Sequence, residues 1–183
     1  EISVPGGGLL TGAEISGGLE GSAVQGVFIT KHPLDSENYY IFTTDDAISG
    51  DNGITNGFNY YIYNVVSKNL SGPERLKNKS GANFRSTEQV SGTFHENGVD
   101  IWISTHEATT SGSRNFLSYL LKCGGLDENP VESQGGFVVI SKTGNERASL
   151  NFSWDGTKAG VNYHSVGGTY DPASSVTLLD FDN

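Results

Sequence analysis

The segment 93–105 restricts the fold of this chain more than any other part of the sequence. Asn97 and Gly98 are a strong signal for a two-residue hairpin, because a type I′ turn needs positive φ at both central positions. Aliphatic and polar residues then alternate over 99–104, with the two-residue period of a half-buried strand. The segment therefore predicts an antiparallel hairpin with one aliphatic face directed toward a core.

Further strand signals follow at short intervals, separated by turn residues. They occur at 25–30, 38–44, 58–66, 137–143, 147–154, 161–166 and 175–181. Consecutive hairpins imply antiparallel pairing. We therefore predict an all-β fold, an antiparallel two-sheet β-sandwich that is jelly-roll-like, with a closed barrel as the alternative.

The segment 113–123 is the one helix candidate, so the predicted fold contains at most one short helix. Ser113 is a suitable N-cap residue, and Gly124 is suited to end a helix. The apolar stripe would consist of Phe116, Leu117, Leu120 and Leu121. The same residues also permit a strand.

A chain of 183 residues is the size of one ordinary domain. Residues 1–24 are rich in glycine and are predicted to be a partly ordered lead-in, followed by a single β-sandwich domain over 25–183. The polar segment 67–88 is predicted to be a long loop. The chain contains no methionine and begins at Glu1, so we expect a processed product or a piece of a longer protein.

The charge of the chain argues against several partners. The formal net charge is −10, and the basic residues are scattered, whereas nucleic-acid binding needs clustered Lys and Arg. Anionic membrane surfaces are disfavoured for the same reason. No apolar run reaches the ~20 residues of a membrane span, so we predict no membrane insertion. Cys123 is the only cysteine, and its neighbours Leu120 and Leu121 predict a buried thiol.

Trp102 projects from the polar face of the predicted hairpin. In a tight register His95 opposes Asp100, so Trp102, Asp100, His95 and Ser104 would share that outward face. An aromatic ring among carboxylate, imidazole and hydroxyl groups suits a saccharide, which has apolar C–H faces and polar rims. In the alternative arrangement a second sheet or a loop covers this face and buries the indole.

Trp154 has the opposite pattern. It shares the phase of Leu150 and Phe152 along its strand, so it is predicted to lie in the core.

The acidic loop 45–52 is a candidate metal site. Asp45, Asp46, Asp51 and Asn52 offer hard oxygen ligands of the kind that Ca²⁺ prefers. The spacing is not that of an EF-hand. The alternative is a turn in which Asp and Asn side chains bond their own backbone.

These features favour a non-catalytic binding module of the lectin or adhesin type, extracellular or at the cell surface. Its expected ligand is a glycan or a cell-surface polysaccharide, with Ca²⁺ as the expected cofactor. One alternative is a structural or assembly subunit that forms a homo-oligomer. Another is a polysaccharide-acting enzyme on a jelly-roll scaffold, although no pair of carboxylates is singled out for that role.

Overall fold

The computed structural model of the chain describes residues 25–44, 57–109, 111–139, 147–164 and 174–183. The predicted lead-in 1–24 lies outside these described residues. So does the loop 45–52, with the predicted ligands Asp45, Asp46, Asp51 and Asn52.

The described residues form β-strands and contain no helix. The strands are β1 (Val27–Lys31), β2 (Asn38–Thr44), β3 (Phe58–Asn64), β4 (Asn69–Arg75), β5 (Arg85–Ser86), β6 (Ser91–Phe94), β7 (Ile101–Ala108), β8 (Ser113–Lys122), β9 (Gly125–Val139), β10 (Arg147–Phe152), β11 (Lys158–His164) and β12 (Ser174–Asp180). All pairs of these strands are antiparallel. The predicted all-β antiparallel class is therefore confirmed.

The strands form three sheets in the described part of the chain. Their orders are β1-β2-β3-β4, β5-β7-β8-β9 with β6 also paired to β7, and β10-β11-β12. Neighbouring strands are mostly consecutive in sequence, which is the connectivity of a meander. The architecture is consistent with a β-sandwich, and the jelly-roll connectivity is not confirmed.

The middle sheet is packed on both faces. One face meets the β1–β4 sheet in a cluster that includes Phe42, Phe58, Ile103 and Leu117. The other face meets the β10–β12 sheet, where Phe116 of β8 packs in one cluster with residues that include Leu150, Val161 and Tyr163. Successive residues of β7 and β8 therefore point into two different cores.

The helix prediction for 113–123 is wrong, because Ser113–Lys122 is the strand β8. A strand covered on both faces has apolar residues in both phases, and such a run resembles a buried helix. Leu117 and Leu121 face one core, whereas Phe116 belongs to the other. Cys123 lies in the turn after this strand and is exposed, so the predicted burial of its thiol is also wrong.

The segment 67–88 is not the long loop that its polarity predicts, since it contains β4 and β5. The side chains of β4 are mostly exposed, and the strand is held by main-chain pairing with β3. A strand without a buried face leaves no alternating pattern in the sequence.

Candidate functional site

The face of β7 that carries Trp102 is partly covered. Ser104 and His106, on the same face, are 2% and 0% exposed because the β10–β12 sheet packs over them. Of the two arrangements considered for this face, covering by a second sheet therefore applies to Ser104, whereas Trp102 is half-buried. Ser104 is buried and forms a hydrogen bond of 2.7 Å with Ser118 of the neighbouring strand β8.

The turn between β6 and β7 has the predicted pairing but not the predicted type. His95 N–H donates to the carbonyl of Asp100 at 2.8 Å, which confirms that these residues face each other. The loop 96–99 is wider than a two-residue turn, and within it only Gly98 has positive φ (70°). Asn97 Oδ1 accepts the N–H of Asp100 at 2.9 Å, and Nδ2 donates to its carboxylate at 2.9 Å. The Asn97 side chain thus replaces the main-chain bonds of a type I′ turn.

The indole of Trp102 lies between two aromatic neighbours. Its ring centroid is 5.8 Å from that of His95 and 6.2 Å from that of Phe181, the latter edge-on at 84°. Its Nε1 is buried and has no hydrogen-bond partner among the described residues. The same holds for Oδ1 of Asn183, which follows Phe181 by two positions. This end of the molecule therefore contains a buried donor and a buried acceptor whose hydrogen-bonding capacity is not used by the described residues.

Trp154 is fully exposed (103%), so its predicted place in the core is wrong. The core phase of β10 ends at Phe152, and the chain then turns, with Ser153 N–H donating to the carbonyl of Lys158 at 2.9 Å. The pair Asp155-Gly156 directly after Trp154 is a turn signal that assigns this tryptophan to a hairpin tip.

Asp155 fixes the turn that carries Trp154. Its Oδ1 accepts the hydroxyl of Ser153 at 2.6 Å, and the hydroxyl and N–H of Thr157 at 3.0 and 3.1 Å. These hydrogen bonds, above all the one from Ser153, lower the pKa of Asp155 to about 2. The carboxylate is thus ionised over the whole range in which proteins usually work, and Trp154 is displayed on a preorganised turn.

Protonation of Asp155 is expected to loosen this turn. A carboxyl group with a lowered pKa stabilises the fold above its ordinary pKa near 3.8 and loses that effect as pH falls toward 2. Protection of the Thr157 amide in hydrogen exchange should therefore persist at pH 4 and decline between pH 4 and pH 2. In the Asp155→Ala variant this amide should exchange at least about tenfold faster at neutral pH. Equal exchange in both proteins would contradict this role of Asp155.

The two turns and the C-terminus meet at one end of the molecule. Asn183 Nδ2 donates to the carbonyl of Phe94 at 2.8 Å, and Phe181 N–H donates to the carbonyl of Thr157 at 2.9 Å. Gly156 lies against the side chain of Asn183, and its φ of +69° favours glycine at this position. We call the segments 95–100, 153–157 and 181–183, together with Phe94 and Trp102, the hairpin end.

The hairpin end is acidic. Its three segments contain Glu96, Asp100, Asp155 and Asp182, and they contain no Lys or Arg. Glu96, Asp155 and Asp182 are exposed, and Asp100 is half-buried. This charge opposes the binding of anions.

No metal centre is formed by the described residues, which place no three His, Cys, Asp or Glu side chains where they would hold an ion. The predicted ligands Asp45, Asp46, Asp51 and Asn52 lie outside these residues, so a Ca²⁺ site there stays a prediction. Calcium binding at the hairpin end has no support in this geometry.

The chain matches no family model, no curated protein and no solved structure. Within the described ranges, no helix has the length and apolar character needed to cross a membrane. The geometry and charge of the hairpin end are therefore the basis for assigning a function.

Proposed function

We propose that this chain is a non-catalytic carbohydrate-binding module, extracellular or at the cell surface, and that the hairpin end is its binding site. The observation that carries the proposal is the full exposure of Trp154 on a turn held by its own hydrogen bonds. A large aromatic ring that contributes nothing to the core and is displayed on a hydrogen-bonded turn is typical of a ligand platform.

The surroundings of this ring favour a sugar. Phe94 is 63% exposed at the same end and offers a second apolar surface for a C–H face. The exposed carboxylates of Glu96 and Asp182 at the same end can accept hydrogen bonds from sugar hydroxyl groups. Asp100 and His95 of the predicted patch lie at this end as well.

The charge of the hairpin end narrows the ligand to neutral glycans. The four carboxylates of this end outnumber the adjoining Lys158, which is paired with Asp180, and would repel sialic acids, uronates and sulfated sugars. We therefore expect neutral hexose or N-acetylhexosamine units as ligands.

A homo-oligomeric assembly subunit is the second candidate. Val176 and Leu178 of the edge strand β12 are 78% and 72% exposed, and Val27 and Ile29 of the edge strand β1 are 54% and 57% exposed. Exposed aliphatic side chains on strands that form sheet edges in the described part of the chain favour association with another chain. These strands lie outside the segments that define the hairpin end.

The Trp154→Ala variant tests the proposal on an array that contains neutral and anionic glycans. We expect the wild-type protein to bind neutral glycans, and the variant to bind them roughly 30-fold more weakly, because a central aromatic contact contributes about 2 kcal/mol or more. The melting temperature should not change, since the side chain makes no core contact.

The matched control is Val66→Ala, which removes another exposed apolar side chain (68%) at the turn between β3 and β4. This variant should bind as the wild type does. Equal binding by Trp154→Ala and wild type would contradict the proposal. Concentration-dependent oligomers in light scattering, without a glycan signal, would favour the assembly subunit instead.

A further inference from the structure

A cavity of about 230 Å³ lies between the middle sheet and the β10–β12 sheet. Its walls include three phenylalanine rings, those of Phe116, Phe152 and Phe181, together with the aliphatic side chains of Leu150 and Leu179. For comparison, an apolar cavity of about 150 Å³ in another protein binds benzene. The space is therefore large enough for a ligand somewhat larger than a single ring.

The cavity has one polar feature on its inner wall. Ser104 and Ser118 line it, are 2% and 5% exposed, and join their hydroxyl groups at 2.7 Å. In such a pair one hydroxyl donates to the other, and the accepting hydroxyl keeps its own hydrogen free to donate. The two serines, small residues directly opposite each other in neighbouring strands, also leave the space that larger side chains would fill.

The exposed lining residues locate the mouth of the cavity. Asp180, Ser133 and Gln134 are exposed and lie on β12 and β9, so the mouth opens between these two strands. Asp180 forms an ion pair with Lys158. The described residues that line the cavity include no Lys, Arg or His, so they offer no cationic side chain to an anionic ligand.

We propose that this cavity is a binding site for a neutral, flat aromatic molecule that carries one hydroxyl or carbonyl group. Its rings contact the phenylalanine walls, and its oxygen accepts the free hydrogen of the Ser104–Ser118 pair. The site is separate from the carbohydrate site, although Phe181 contributes to both the cavity wall and the hairpin end.

Three probes test the ligand class by isothermal titration calorimetry and differential scanning calorimetry. We expect 2-naphthol to bind and to raise the melting temperature by several degrees at saturation. Naphthalene, which lacks the hydroxyl, should bind roughly fivefold more weakly. The third probe, 2-naphthoate, carries an anionic carboxylate in place of the hydroxyl group of 2-naphthol and should not bind detectably.

Variants of residues that line the cavity test whether 2-naphthol binds there. Ala159, buried at 4%, lines the cavity, and Ala159→Leu fills part of it. This variant should abolish the binding of 2-naphthol, and Leu179→Phe provides a second filling variant should the first fail to fold. Ser118→Ala should remove the preference for 2-naphthol over naphthalene.

Absence of 2-naphthol binding to the wild type, or equal binding by a folded filling variant, would overturn the proposal. An unchanged preference in Ser118→Ala would overturn the assignment of the serine pair. Trp154→Ala should retain full 2-naphthol binding, so that the outcome here is independent of the outcome at the carbohydrate site.

Discussion

Replacement of Phe42 by alanine is expected to lower the free energy of unfolding by about 3–5 kcal/mol. Phe42 is 0% exposed, and its ring lies 6.1–6.4 Å, centroid to centroid, from four others. These rings are Phe28, Tyr40, Phe58 and Tyr60. The substitution removes the contacts of a central ring and leaves a cavity that the rigid sheets cannot close.

The measurement is urea unfolding at neutral pH, and the matched control is Phe94→Ala, which makes the same chemical change at a 63% exposed position. We expect the control to lose less than about 1 kcal/mol. Because proteins of this size have about 5–15 kcal/mol of stability in total, Phe42→Ala should be clearly separated from its control. Similar losses in the two variants would contradict the packing of β2 against the middle sheet.

The second large effect is expected from pH and depends on His106. This side chain is 0% exposed, with the rings of Phe116 and Tyr163 edge-on at 4.5 and 5.9 Å. Burial lowers the pKa of His106 from 6.5 to about 3, and the nearby main chain of Glu107 opposes this shift only in part. The folded protein therefore keeps His106 neutral at pH values at which the unfolded chain protonates it.

The sign of the effect follows from this difference. Between pH 6.5 and pH 3 the unfolded chain binds more protons, so stability falls as pH falls, with a limiting slope of about 1.4 kcal/mol per pH unit. From pH 6.5 to 4.5 the loss should reach about 2 kcal/mol. Carboxyl groups with lowered pKa values, such as Asp155, add to the acid loss only at lower pH.

Urea unfolding at a series of pH values measures this loss. His106→Leu replaces the imidazole with an apolar side chain of similar size and so removes the titrating group. The free energy of unfolding of this variant should be nearly constant between pH 6.5 and 4.5. A wild-type slope in His106→Leu would show that other groups cause the acid loss.

The fold class could be predicted from the sequence because hairpins with one buried face leave an alternating pattern. Ile101 and Ile103 are buried as that pattern requires, and β7 keeps the alternation although both its faces are covered, because its other face carries the polar residues Ser104 and His106. The same rule failed for β8, which is covered on both faces, and for β4, whose side chains are mostly exposed. A strand with two apolar faces or with none lacks the alternation on which the prediction depends.

The site could be predicted only in part. The pairing of His95 with Asp100 followed from the turn signal, whereas the covering of Ser104 depends on a sheet formed far along the chain. The outcome for the two tryptophans has the same origin: Trp102, predicted on the outward face, is half-buried, and Trp154, predicted in the core, is exposed. Phase along a strand indicates which side chains share a face, but not what covers that face or where the strand ends.

The double-sided burial of β8 has a consequence for alignment of the strands. In a sheet with one solvent-exposed face, a register shift of one residue would expose the apolar side chains to water, which strongly disfavours the shifted register. In the centre of β8 slippage would exchange Leu117, Tyr119 and Leu121 for Phe116, Ser118 and Leu120, so exclusion from water discriminates less strongly between the two alignments. Correct alignment must then come from side-chain size and from the facing hydroxyls of Ser104 and Ser118, which meet in only one alignment of β7 with β8.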